Sequence, residues 1–314
     1  MAPPFACAIA MHSGRALLAA ALLASAAVTL TLLPSAAAQP WVGPWPTCDD
    51  TTGNYSAGSA YANNVKELIH NLQTNASNTP ALFATGSVVG AGGADAAVYG
   101  LILCRGDLSL TDCFDCGTNA GQDVHRVCNG TRDAALVYNQ CYVRISPTDF
   151  LATTNNTGMV GLVNGNSVPK GVDVAAYDGA IIRLLNATVQ YAVDSGSAQS
   201  SSPRKYFATG QMVGIDPQIP DGIWSMAQCA GDISPVQCRS CLDDLLAEWW
   251  VQIDRTEIGA RLDGSRCNLR FETGNFYTGS PMVKLQMNGE AAAPAPVPST
   301  DVVPGTTGGE CLIA

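Results

Sequence analysis

The sequence predicts an α+β protein made of two tandem, disulfide-rich domains, and three observations lead there. Short blocks of residues recur along the chain, both copies carry the same cysteine spacing, and helix-period segments sit at matching places among strand-like runs.

The recurrence sets the organisation. Leu82-Phe83-Ala84-Thr85-Gly86 returns as Tyr206-Phe207-Ala208-Thr209-Gly210, and Cys104-Arg105-Gly106-Asp107 returns as Cys229-Ala230-Gly231-Asp232. Each copy continues with Cys-x8-Cys-x2-Cys, through Cys113 and Cys116 in one and Cys238 and Cys241 in the other. Cys141-Tyr142-Val143-Arg144 then matches Cys267-Asn268-Leu269-Arg270, and Phe150 matches Phe276. Domains are expected over 47–152 and 160–280.

Tyr61 to Asn75 and Val174 to Val193 carry apolar residues at helical spacing, whereas Ala81–Val89, Ala96–Leu103 and Ala134–Ile145 read as strands. A second helix in each domain starts at the double cysteine. Ser109 precedes Asp112 by three residues as in a capping box, and Ser234 is followed by Pro235 at the first helical position. Cys113 and Cys116 therefore share one helix face and can tie the helix to two neighbours.

The natural pairing is Cys104–Cys113 with Cys116–Cys141, which leaves Cys48–Cys128. The second copy supports it, because Cys229, Cys238, Cys241 and Cys267 survive there while Val163 and Ile253 stand where Cys48 and Cys128 would fall. The first of these matches has one residue of play. Loss of two cysteines together, for two apolar residues, reads as loss of one buried bridge. A bridge contributes roughly 2–4 kcal/mol.

Composition excludes several classes of function. With 16 Lys+Arg against 26 Asp+Glu, a formal charge of −10 and a pI near 4.6, the chain lacks the basic surface that nucleic acid or anionic lipid requires. Hydrophobic residues make up 47% and charged residues 13%, so most of it should fold. Twelve cysteines in 314 residues point to an oxidising compartment.

The ends agree with export. Ala16 to Leu33 is an uncharged apolar run after Arg15, and Ala36 and Ala38 place small residues before a cleavage point at Gln39, so 1–38 reads as a signal peptide rather than a retained anchor. Sequons occur at Asn54, Asn75, Asn129, Asn155 and Asn186. Residues 291–314 form a Pro-, Ala- and Gly-rich tail. Its terminal Cys311-Leu312-Ile313-Ala314 spells a prenylation box, but an exported chain does not meet the cytosolic enzymes that read one. With Cys7 removed and ten cysteines paired, Cys311 is left over, for an intermolecular disulfide or a modified thiol, or as a tail residue of no consequence. A secreted, apoplastic chain without a transmembrane anchor is expected.

The doubled cysteine spacing, with the Phe-Ala-Thr-Gly and Cys-x-x-Arg elements beside it, resembles the plant cysteine-rich repeat secretory proteins. Their unit is the ginkbilobin-homologous, or salt-stress-response/antifungal, domain. The resemblance covers about 47–280 and implies two helices packed on an antiparallel sheet of about five strands in each domain. It implies a secreted, non-enzymatic binding protein, defence-related and able to bind mannose-containing glycans. The same domains form the ectodomains of cysteine-rich receptor-like kinases and plasmodesmata-located proteins, so a receptor-like ectodomain or co-receptor fragment that meets a cell-surface protein is the alternative. No kinase motif is present.

Within this family a ginkgo seed protein binds mannose through an Asn, an Arg and a Glu. The matching first-domain positions hold Asp49, Ala135 and Ser146, so that site should be inactive; the second domain holds Asn164, Arg261 and Glu272. A carboxylate, a guanidinium and an amide can together clasp vicinal hydroxyls. The competing reading pairs Arg261 with Glu272 across neighbouring strands for purely structural reasons.

Other constellations are weaker. A zinc site on Cys113 and Cys116 lacks further ligands, and neither a metal nor a cofactor is expected. His70 and His125 belong to no nucleophile motif. Trp249 and Trp250 read as packing residues, and Gly90-Ala91-Gly92-Gly93 as a turn rather than a phosphate loop.

Overall fold

The computed structural model describes residues 43–287 apart from 91 and 201. The expected leader 1–38, the tail 291–314 and Cys311 lie outside the described residues.

The first domain runs β1 (Trp45–Asn54), α1 (Ala60–Ala76), β2 (Phe83–Val88), β3 (Val98–Cys104), α2 (Leu110–Val127), β4 (Thr131–Val137) and β5 (Cys141–Ser146). The second repeats it with β6 (Val160–Val163), α3 (Val174–Ser197), β7 (Tyr206–Val213), β8 (Ile223–Cys229), α4 (Pro235–Gln252), β9 (Gly259–Asp263) and β10 (Cys267–Glu272), then adds β11 (Val283–Gln286). The first sheet is antiparallel in the order β1-β4-β5-β3-β2. The second has the order β11-β7-β8-β10-β9-β6, and its extra strand lies parallel to β7, beyond the domain end expected at 280.

Helix starts follow local chemistry. Ser109 and Asp112 close a reciprocal capping box on α2, and Ser234 and Gln237 do so on α4 with Pro235 in its first turn. The single strand read from Ala134 to Ile145 is a hairpin instead. Tyr138, Asn139 and Gln140 turn the chain, and the Tyr138 amide donates to the Cys141 carbonyl at 2.8 Å.

In the first domain the core lies between helices and sheet, where Leu68 and Leu72 of α1 and Ala120 and Val124 of α2 meet Ile102 and Val143. In the second, Leu184 and Leu185 of α3 and Leu242 and Trp249 of α4 meet Leu262, Leu269 and Phe271. Each such side chain contributes roughly 1.5–3 kcal/mol by leaving water.

The opposite sheet faces are covered as well. Phe83, Leu101, Leu103, Val137 and Tyr142 point away from the first-domain helices and cluster with Val160 and Ala230 of the second domain. That explains why β3 is apolar at nearly every position instead of alternating. The two repeats meet sheet to sheet.

Candidate functional site

The structure brings all ten expected cysteines together as Cys48–Cys128, Cys104–Cys113, Cys116–Cys141, Cys229–Cys238 and Cys241–Cys267, with Cα–Cα distances of 5.5–6.2 Å. Cys113 and Cys116 reach back to β3 and forward to β5 from one face of α2.

Sheet register removes the play in matching the first strands. Cys48 stands opposite Ala134 and Val163 opposite Ala260, the corresponding pair, so Asn164 does correspond to Asp49. The expectation of a buried apolar pair in place of the lost bridge needs correction at one end. Ile253 is buried, but Val163 lies on edge strand β6 and is 51% exposed.

Asn164, Arg261 and Glu272 fall on the same end of the second sheet, but only two of them touch. Asn164 Nδ2 donates to Glu272 Oε2 at 3.4 Å, and its Oδ1 accepts from Asn166 at 2.8 Å. Arg261 turns elsewhere. It is 7% exposed, its Nε and one terminal nitrogen donate to the Asp263 carboxylate, and another donates to the first-domain Tyr138 carbonyl at 3.2 Å. Arg261 and Asp263 meet because residues two apart share a strand face.

The expected cross-strand pair between Arg261 and Glu272 is therefore not formed. Arg261 stands opposite Arg270, and Glu272 opposite Gly259. Two facing cations are unfavourable unless each has its own carboxylate. Arg270 takes Glu272, with Nε donating to Oε1 at 3.0 Å, as Arg261 takes Asp263. Burial first, then the neighbouring Arg261 charge, bring the Arg270 pKa down to about 10.

The first domain solves the same problem from another strand. Arg144, which matches Arg270, donates to Asp133 of β4 at 3.1 and 2.9 Å, and Ser146 donates to the same carboxylate at 2.8 Å. Position 133 corresponds to Gly259 and position 146 to Glu272, so the carboxylate has moved from one strand to its neighbour while the arginine keeps its partner. Each arginine also lies over the matched phenylalanine, Arg144 at 4.4 Å from the Phe150 ring centre and Arg270 at 4.1 Å from that of Phe276.

A second exchange is built alike. Asp107 pairs with Arg105 at 2.5 Å, whereas its counterpart Asp232 pairs with Arg266 at 3.0 Å. Arg105 and Gln140 are thus replaced by Ala230 and Arg266, and in both copies the first residue's amide donates to the second's carbonyl at 2.8 Å. Arg266 also donates to the carbonyls of Leu151 and Thr153 in the segment joining the domains, at 2.9 and 2.7 Å.

These charges form a polar seam between the sheets. Besides Arg261, Arg270 donates to Asn139 Oδ1 at 3.2 Å and Gln228 to the Cys104 carbonyl at 2.7 Å. Thr278 donates from its amide to Asp107 at 2.7 Å. The first-domain side of the seam is largely the β4–β5 hairpin turn, which the single-strand reading passed over. The paired exchanges were visible in the aligned repeats and were the available signal.

Asn54, Asn75, Asn129, Asn155 and Asn186 are all exposed. His70 is exposed on α1, and His125, also exposed, meets the edge of Tyr55 at 5.2 Å between ring centres. Trp249 is wholly buried against Phe271, at 5.9 Å, and Arg255 lies 5.6 Å from the Trp250 ring centre. Among the described residues no helix is long and apolar enough to cross a membrane.

Two α+β repeats, each stapled by the double-cysteine helix and joined face to face, define a disulfide-stabilised tandem-repeat fold. The salt stress response/antifungal family model matches residues 47–148 and 166–274, and the chain belongs to that family. It is 34% identical over 269 residues to cysteine-rich receptor-like protein kinase 10 of Oryza sativa subsp. japonica, covering 84% of this chain and 39% of that kinase. It is 29% identical to the antimicrobial ginkbilobin-2-like protein of Castanea crenata, over 71% of this chain and 84% of that protein. The fold is that of the tandem DUF26 ectodomain of the Arabidopsis thaliana cysteine-rich receptor-like protein PDLP8, with a TM-score of 0.52 and 20% identity over 73% of this chain and 95% of that one. The chain spans well under half the length of the receptor kinase it matches.

Proposed function

We propose that this chain is a secreted, extracellular, non-enzymatic recognition module with a defence-related role, working as a receptor-like ectodomain that meets a protein partner. The observation that carries this reading over a lectin is the fate of Arg261. Its guanidinium is spent on Asp263 and on the Tyr138 carbonyl of the other domain, and Glu272 is spent on Arg270. Residue types that resemble a sugar clasp are thus accounted for by charge compensation in the seam. Kinship with a receptor-like kinase and with a protein named as antimicrobial supports the extracellular and defensive parts. Exposed sequons at five asparagines support a glycoprotein.

A second reading keeps a glycan as ligand and rests on the contact between Asn164 and Glu272, at the exposed edge beside β6. One experiment separates the two. Labelled, oxidised protein is titrated onto plant protoplasts with and without surface proteolysis, and with mannose or oligomannoside as competitor. The protein-partner reading expects saturable binding that proteolysis removes and mannosides leave unchanged. Competition by mannosides, with loss in Asn164→Ala and Glu272→Gln, would establish the glycan reading instead, and absence of saturable binding would overturn both.

A further inference from the structure

A recess of about 570 Å³ opens where the C-terminal part of α3 approaches β7, beside the Asp107–Thr278 contact of the seam. Such a volume is that of a small-molecule site. Tyr191, Phe207 and Met282 give it apolar walls, Ser195 and Lys205 line it from the second domain, and Asp107 from the first.

The walls are held in place before any ligand arrives. Phe207 packs so closely on Gly106 that a Cβ there would come within 2.3 Å of its ring, which leaves only glycine at that position. Asp107 accepts from the Thr278 amide at 2.7 Å and hydroxyl at 3.0 Å, fixing the loop before Met282. The Gln199 side chain binds both the Lys205 amide and carbonyl at 3.0 Å.

Charge then selects the ligand. Asp107 is neutralised by Arg105, at 2.5 Å. Lys205 is half-buried, and among the described residues its ammonium makes no hydrogen bond or ion pair. Burial lowers its pKa, and outweighs the opposing pull of the nearby Asp107 carboxylate, which Arg105 already holds. On a chain of formal charge −10, this is a local positive site with apolar surroundings.

We infer that this recess binds a small organic carboxylate, its anion on Lys205 and its apolar body between Phe207 and Met282. A charge-assisted contact in a partly dry recess supplies the affinity and the anion supplies the selectivity. The inference stands apart from the partner reading above, since it uses none of the residues on which that reading rests.

The test titrates 3-phenylpropionate and its uncharged isostere 3-phenylpropanamide into the oxidised full-length protein, followed by NMR and calorimetry at low ionic strength. The acid should bind at one site and the amide roughly tenfold more weakly or worse, as loss of one charge-assisted contact implies. Lys205→Met should lose the acid's advantage and Lys205→Arg should keep it, with circular dichroism confirming that both variants fold. Equal binding of acid and amide, no binding of either, or an unaltered preference in Lys205→Met would overturn the inference.

Discussion

Glu272 fills the space that a side chain at position 259 would need: a Cβ built on Gly259 would come within 1.8 Å of Glu272 Oε2. The first domain has the reverse arrangement, with Asp133 at the position of Gly259 and Ser146 at that of Glu272. Arg144 and Arg270 are thus held by carboxylates from different strands. Glu272→Ser should cost about 3 kcal/mol, because it leaves a buried guanidinium without a counter-charge. Gly259→Asp alone should also destabilise, by crowding a second carboxylate against Glu272. Together they recreate the first-domain pair, and a double-mutant cycle by denaturant titration should recover most of the loss. Additive losses would contradict the exchange.

Arg266 is 1% exposed and ties Asp232 to carbonyls of the joining segment. Arg266→Gln should cost roughly 3 kcal/mol or more, read as a shift of the denaturant midpoint, since several acceptors lose a charged donor at once. A change within the few tenths expected of a surface substitution would show the tether to be unimportant.

The Cys48–Cys128 bridge closes a sequence separation of 80, against 9 for Cys229–Cys238. Loop entropy then assigns the long bridge roughly 4–5 kcal/mol and the short one nearer 3. Replacing each pair by alanine should lower the denaturant midpoint in that order, and the reverse order would count against a loop-entropy origin.

Burial raises the phenol pKa of Tyr55 to about 12 and pushes Tyr61, Tyr138, Tyr142, Tyr177 and Tyr277 higher still. A folded-state pKa above the unfolded value near 10 gives stability that is complete below pH 10 and is lost as pH rises through the folded pKa. Arg270 acts oppositely, since its folded pKa of about 10 lies below its unfolded one, but it is a single group against many phenols. Melting temperature should therefore fall steeply above pH 10, and a flat profile to pH 11 would contradict the burial of these hydroxyls.

Much of this fold was legible in the chain. Ser109 with Asp112 and Ser234 with Pro235 marked their helix starts because capping is local chemistry, and the cysteine spacing repeated itself in view. What escaped was non-local. The turn at Tyr138, Asn139 and Gln140 carries no Gly or Pro to mark it, and β11 is four residues long with no repeat counterpart. Arg261 and Glu272 matched a binding pattern by type, yet only three-dimensional register reveals that each already has a carboxylate or guanidinium partner on its own strand.

The central claim is that the seam through Arg261, Arg270 and Thr278 makes the two repeats one cooperative unit. Scanning calorimetry of the oxidised protein and of Arg261→Ala tests it most directly. The wild-type chain should unfold in one transition whose calorimetric and van't Hoff enthalpies agree, and the variant, leaving Asp263 buried without its cation, should melt lower or split into two. Two independent transitions in the wild-type protein, with neither moved by Arg261→Ala, would contradict the account.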